Sequence, residues 1–194
     1  MYLIFDTETT GLPLNWNAPL TDFSNWPRMV QIAWQIHAID GQLIEMKNYI
    51  VKPDNYVIPY NATKIHGIST EIAIQKGISI VDILDDFIND IHKSKYIIGH
   101  NISFDNNIVG CEMLRYDMSN VLLEKSFIDT KDVSTQYCAI PGGKGGGFKW
   151  PSLTELHVKL FSTGFSSAHN ASADVEATAL CLFKLLKEKK IHPS

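Results

Sequence analysis

No apolar run in this 194-residue chain approaches the roughly 20 residues needed to span a bilayer, so no membrane partner is expected. Cysteine is scarce: Cys111, Cys138 and Cys181 are odd in number, far apart and without a CxxC pair. That excludes a disulfide framework and a cysteine-built zinc site, and points to reduced, buried thiols and a cytoplasmic location. The opening MYLIFDTETTG has no basic stretch ahead of an apolar one and meets an acid at position 6, so no signal peptide is expected. Positive charge is also short, with 17 Lys and Arg against 21 Asp and Glu and a formal net charge of −4. A protein that holds nucleic acid by neutralising phosphates alone is normally basic, which argues against a chromatin-type or operator-type binder. It does not argue against a nuclease, because bound cations can supply positive charge locally.

No repeat or interdomain linker interrupts the chain, and its length suits one domain over residues 1–194 with a core of its own. The one biased stretch is PGGKGGGFKWP at 141–151. Gly142 and Gly147 have phosphate-loop spacing, yet Phe148 stands where that motif needs lysine, so the segment reads as a flexible surface loop whose lysines could brush a substrate backbone.

Hydrophobic patterning predicts the elements. Residues 2–6 read as a buried strand ending at Asp6, and 12–27, rich in proline and asparagine, as a long loop. Residues 29–39 and 42–51 form a hairpin turned at Asp40-Gly41. Short helices follow over 61–75 with Ser69 as an N-cap, and 79–92 carries apolar residues at helical spacing. Strands are expected at 96–99 and 126–129, with helices from Asn101, at 130–138, at 152–161 and at 172–190, the last capped by Ser172. Strand–helix alternation in the second half implies parallel crossovers. The expected fold is an α/β domain in which an antiparallel meander feeds parallel strands.

Asp6 and Glu8 lie two apart near the end of the first strand, so they share one face. Burying two carboxylates together is unfavourable unless cations or donors compensate. Gly11 can let a backbone approach a ligand. Asp105 sits about one helical turn after Asn101, and Asp174 falls in the first turn of the last helix, with His169 just ahead of it. An acid in a first turn is ordinary, favoured by the helix dipole, so taken singly each of these has a bland reading.

Together, FDTETTG, GHNISFD and HNASAD, in that order and separation, resemble the DEDDh (DnaQ-like) 3′-5′ exonuclease family. The resemblance runs from residue 2 to about 188. It implies a ribonuclease H-like fold, a five-stranded mixed sheet flanked by helices. It further implies that Asp6, Glu8, Asp105 and Asp174 bind two divalent ions, Mg²⁺ or Mn²⁺, with Asp6 shared by both. His169 marks the histidine branch and is implied as general base. Thr7, Gly11, Leu12, His66, Asn101 and Phe104 match positions that meet the substrate, Phe104 by packing on a base or sugar.

The chemistry agrees with the residue types. Hard divalent ions take oxygen ligands, and two of them can serve both the attacking and the departing oxygen of a phosphodiester. An imidazole titrates near neutrality, which suits proton abstraction from water. The expected reaction is hydrolysis at 3′ ends, of single-stranded DNA before RNA, releasing nucleoside 5′-monophosphates. The alternatives are an RNA-trimming enzyme, a polymerase proofreading subunit or member of a repair complex, and a non-catalytic nucleic-acid-binding protein on the same fold. The absence of a long tail after the domain favours a free-standing enzyme. Substrate choice is expected to lie with the loops at 12–27 and 141–149. In the first of these Trp16, Phe23 and Trp26 could either stack bases or tuck the loop onto the body. Arg28 reads as a strand end or a phosphate contact, and the lysines ending the last helix as a solvated, dipole-complementing turn.

Overall fold

The computed structural model describes residues 1–166 and 169–191. Five strands, β1 (Tyr2–Thr9), β2 (Met29–His37), β3 (Leu43–Ile50), β4 (Tyr96–Gly99) and β5 (Ser126–Asp129), form one mixed sheet in the order β3-β2-β1-β4-β5. The first three pair antiparallel, and β1–β4 and β4–β5 pair parallel. This is the expected meander joined to parallel strands. The helices are α1 (Tyr60–His66), α2 (Thr70–Lys76), α3 (Ile80–Lys93), α4 (Ile102–Arg115), α5 (Thr130–Cys138), α6 (Leu153–Phe161) and α7 (Ala171–Lys187). No helix among the described residues is long and apolar enough to cross a membrane.

Period-two alternation along β1 sorts its side chains between two cores. Leu3 and Phe5 pack with Trp34, with Leu84 and Phe87 of α3, and with Ile108 of α4. Tyr2 and Ile4 pack with Val175, Ala179 and Leu182 of α7 on the other face. Continuing that alternation, Asp6 and Glu8 fall on the α7 side and Thr7 on the α4 side. The sheet therefore decides which helix can bring a partner to each residue.

β1 runs to Thr9 and does not stop at Asp6, because β2 accompanies it through Thr7↔Ile32, Glu8↔Gln31 and Thr9↔Met29. The ladder carries the strand past the point where its apolar run ends. α7 begins at Ala171, capped by the Asn170 side chain, which accepts from Ser172 N–H; Ser172 is a first-turn residue and not the cap. Asn101 does precede α4, but in a left-handed conformation with no side-chain capping bond. The glycine-rich segment is tied across its base by Gly143 N–H to Gly147 O and Lys149 N–H to Ile140 O, each 2.8 Å, so it forms a closed turn. All three thiols are buried and free.

Candidate active site

Asp6, Glu8 and Asp174 each offer a carboxylate oxygen within 4.8 Å of the others. Two come from one face of β1 and the third from the first turn of α7. Two contacts hold that turn in place. Gln31, opposite Glu8 on β2, accepts from Ala171 N–H at 3.4 Å, and His169 N–H donates to Asp174 Oδ2 at 3.0 Å. His169 reaches this position with a left-handed backbone, φ 67°.

Asp105 arrives from the other side. β4 ends at Gly99, so the β1 edge beyond Ile98's partner Ile4 has no strand beside it. Asp105 on α4 takes over: its Oδ1 accepts from Thr7 N–H at 3.0 Å and from the Thr7 hydroxyl at 2.6 Å. One carboxylate oxygen is thus spent on a backbone donor that would otherwise be orphaned in a buried place.

Among the described residues no lysine or arginine pairs with any of these four acids. Their protonation shows the strain. Burial, then the charges of Asp105, Asp174 and Glu8, pushes Asp6 well above the usual carboxylate range. Burial together with Asp174 and Asp105 pushes Glu8 up to about 8. Burial lifts Asp105 to about 7 against the pull of the Thr7 hydrogen bonds, and raises Asp174 against the His169 amide. Crowded carboxylates without a counter-charge, offering only oxygen ligands, fit hard divalent cations. The acids that would hold them are Asp6, Glu8 and Asp174, with Asp105 close enough for its charge to raise Asp6 and Glu8.

A cleft of about 510 Å³ opens beside Glu8. Five of the six substrate positions implied by the resemblance line it: Thr7, Gly11, Leu12, His66 and Phe104. Ile68 N–H donates to His66 Nδ1 at 3.1 Å, leaving the proton on Nε2. That nitrogen is near the Thr9 carbonyl but has no acceptor in bonding geometry. Burial lowers the His66 pKa, so this ring is a neutral donor. Asn101 does not line the cleft; its Oδ1 accepts from Lys131 Nζ at 2.8 Å and its N–H donates to Asp129. The wall formed by Pro59 and by Asn61, Ala62 and Ile65 of α1 escaped sequence reasoning. The signal was present, because Ala62 lies one turn before His66 and shares its face.

A second cavity of about 320 Å³ lies across Asp6, bounded by Asp174, His100, Ser152 and Thr154. The exposed His169 side chain borders both spaces. Arg28 is not available to phosphate: its Nε donates to Glu112 at 2.9 Å and its guanidinium lies over Tyr56. Lys149 is likewise taken by Glu155, at 2.6 and 2.8 Å.

Comparison with known proteins gives the family. Residues 3–182 match the RNase T family model, described as exonuclease. The DNA polymerase III PolC-type of Streptococcus pyogenes serotype M1 is 28% identical over 189 residues, 97% of this chain and 11% of that protein. The Latilactobacillus sakei counterpart is 26% identical over 96% of the chain and 11% of its own length. Among solved structures, E. coli Exonuclease I in complex with a dT13 oligonucleotide superposes with a TM-score of 0.74 at 25% identity, covering 96% of this chain and 40% of that one. The zinc-bound form of the E. coli ExoI–ssDNA complex superposes with a TM-score of 0.73 at 24% identity, over 97% and 40%. The chain thus spans about a tenth of the polymerase relatives and two-fifths of Exonuclease I. With the family model matched along nearly its whole length, this chain belongs to the RNase T exonuclease family.

Proposed function

We propose that this chain is a 3′-5′ exonuclease domain that hydrolyses the terminal phosphodiester of single-stranded DNA and releases nucleoside 5′-monophosphates. The observation that carries the reading is the cluster of Asp6, Glu8 and Asp174 within 4.8 Å, uncompensated by any basic side chain among the described residues, at the edge of a nucleotide-sized cleft. Asp6, Glu8, Asp105 and Asp174 would hold two Mg²⁺ or Mn²⁺ ions. Bound there, such ions would stabilise charge on the phosphate and on the attacking and departing oxygens.

The chain's own residues do the rest. His169, held at the lip of the acid cluster by its amide bond to Asp174, takes the proton from the attacking water. The His66 ring lines the cleft beside the terminal sugar or phosphate, its Nε2 held inside the wall near the Thr9 carbonyl. Leu12 and Phe104 flank the terminal nucleoside, and the open side at Gly11, where a Cβ would meet nothing, leaves its backbone free to approach the ligand. Asn101 would act from the β5 side through the Lys131 contact.

A cytoplasmic setting accords with three buried free thiols. A polymerase-associated proofreading role is the second reading, favoured by the match to PolC-type polymerases. The test is a panel of end-labelled single- and double-stranded DNA and RNA with Mg²⁺ or Mn²⁺. Mononucleotides should appear from the 3′ end and fastest from single-stranded DNA. Release from the 5′ end overturns the polarity, and turnover that persists in excess chelator overturns the metal requirement.

A further inference from the structure

The segment between β1 and β2 is long but firmly held. Leu14 N–H donates to Asn25 O at 3.2 Å, Asn15 N–H to Asn25 Oδ1 at 2.7 Å, and Asn25 Nδ2 returns to Asn15 O at 2.9 Å. Arg115 of α4 donates to the carbonyls of Phe23, Trp26 and Pro27. Trp26 is buried with its indole N–H on Pro19 O. Yet this anchored loop turns Leu12, Leu14 and Trp16 to solvent, with Trp16 52% exposed. A fixed loop that presents large apolar side chains is suited to a ligand, because little entropy is lost when it binds. The Trp16 ring lies 5.7 Å from that of Phe104, which lines the cleft, whereas Trp16 stands just outside it. The Trp16 ring thus adjoins the cleft wall at Phe104, and Leu12 belongs to both the loop and the cleft. Between Gly11 and Arg28 there is no lysine or arginine, so this surface is not made for phosphate.

We propose that Trp16 is a stacking platform for the base next to the 3′-terminal one in a single-stranded substrate. This rests on the exonuclease reading above. With the terminal nucleoside in the cleft, the neighbouring nucleotide passes the Phe104 edge, and the indole there takes the flat face of its base. Stacking of this kind is sequence-tolerant, and its loss corresponds to about 5- to 150-fold in affinity.

The test uses two 5′-labelled single-stranded DNA oligonucleotides, one intact and one with an abasic site at the second position from the 3′ end. For the wild type, removing that base should raise KM by about 5- to 150-fold. Trp16→Ala should show the raised KM on both substrates, with the loss falling on KM and not on kcat, and Trp16→Phe should recover most of the discrimination. Equilibrium binding of the same oligonucleotides by fluorescence anisotropy, with Ca²⁺ as the only divalent ion, should rank them identically. Normal hydrolysis by Trp16→Ala with wild-type KM, or with discrimination retained, overturns the platform and leaves the exonuclease reading standing. Base-dependent binding lost in Trp16→Ala, in a protein that releases no nucleotide, supports the platform and overturns that reading. A wild type that binds neither oligonucleotide overturns both.

Discussion

Two groups of acids in this molecule, one buried and one partly buried, have opposite surroundings. Glu112, with 1% of its side chain exposed, accepts from Arg28, Arg115 and Met29 N–H, all at its Oε1. Asp90, fully buried, is met by Lys47, Lys93 and the Trp34 indole. Burial pushes Asp90 up, but these partners prevail and hold it below the usual carboxylate value. At the other group, Asp6, Glu8 and Asp174 face one another, and every one of them is raised. The fold thus knows how to pair a buried acid and withholds the partner in one place. α4 carries both kinds: Glu112 pinned by two arginines near its end, and Asp105 in its first turn beside the unpaired set. A compensated acid holds elements together, whereas an uncompensated cluster favours positive charge brought from outside.

The sharpest break of that comparison is Asp6→Asn. If Asp6 holds metal, loss of several kcal/mol of transition-state stabilisation should lower kcat by about 10³-fold or more. The same change removes a charge that the metal-free fold resists, so the melting temperature in chelator should rise. Equal activity, or a fall in metal-free stability, would place Asp6 with the compensated acids. His169→Gln should follow with about a 10²- to 10⁴-fold loss in the chemical step, read in single-turnover assays with substrate binding largely kept.

Glu112→Ala is the converse. It removes the carboxylate shared by two guanidinium groups whose side chains are 23% and 9% exposed, and should cost about 3–5 kcal/mol in denaturant unfolding, as for breaking one side of a buried ion pair. The folded fraction should keep its chemistry. A stability loss under 1 kcal/mol (about the worth of a surface pair) would show that the arginines find water instead.

Much of this is legible in the sequence. Period two put Asp6 and Glu8 on one face, and the first-turn positions of Asp105 and Asp174 followed from helix starts. What could not be read depended on distant parts of the chain. The Asp105–Thr7 lock exists because β4 stops at Gly99, leaving a free backbone donor on β1. β1 outlasts its apolar run because β2 pairs with it to Thr9. Asn170 and Ser172 are both good caps by type, and only the geometry chooses Asn170. Trp16 and Trp26 are alike on the same loop. Trp26 is the buried one, with its indole on Pro19 O and its carbonyl held by Arg115, some 90 residues further on.

The mildest prediction separates the two groups by pH. Glu8 stands at about 8 in the fold, and Asp6 is raised as well, while in the unfolded chain both return to about 4. The folded state then binds more protons than the unfolded one between those limits. Stability from these groups is full below the ordinary carboxylate range and is lost as pH rises through about 8. In chelator the melting temperature should therefore fall between pH 5 and pH 8, the opposite of what Asp90, held low by its lysines, would contribute at the acid end. Adding Mg²⁺ or Mn²⁺ at a hundred times its dissociation constant should restore about 2.7 kcal/mol. At a fixed metal concentration the gain should be larger at pH 8 than at pH 5, because fewer protons then compete for the ligand oxygens. A metal-free melting temperature that climbs over this interval would mean that the cluster is already compensated from within, and the distinction between the two groups of acids would fall.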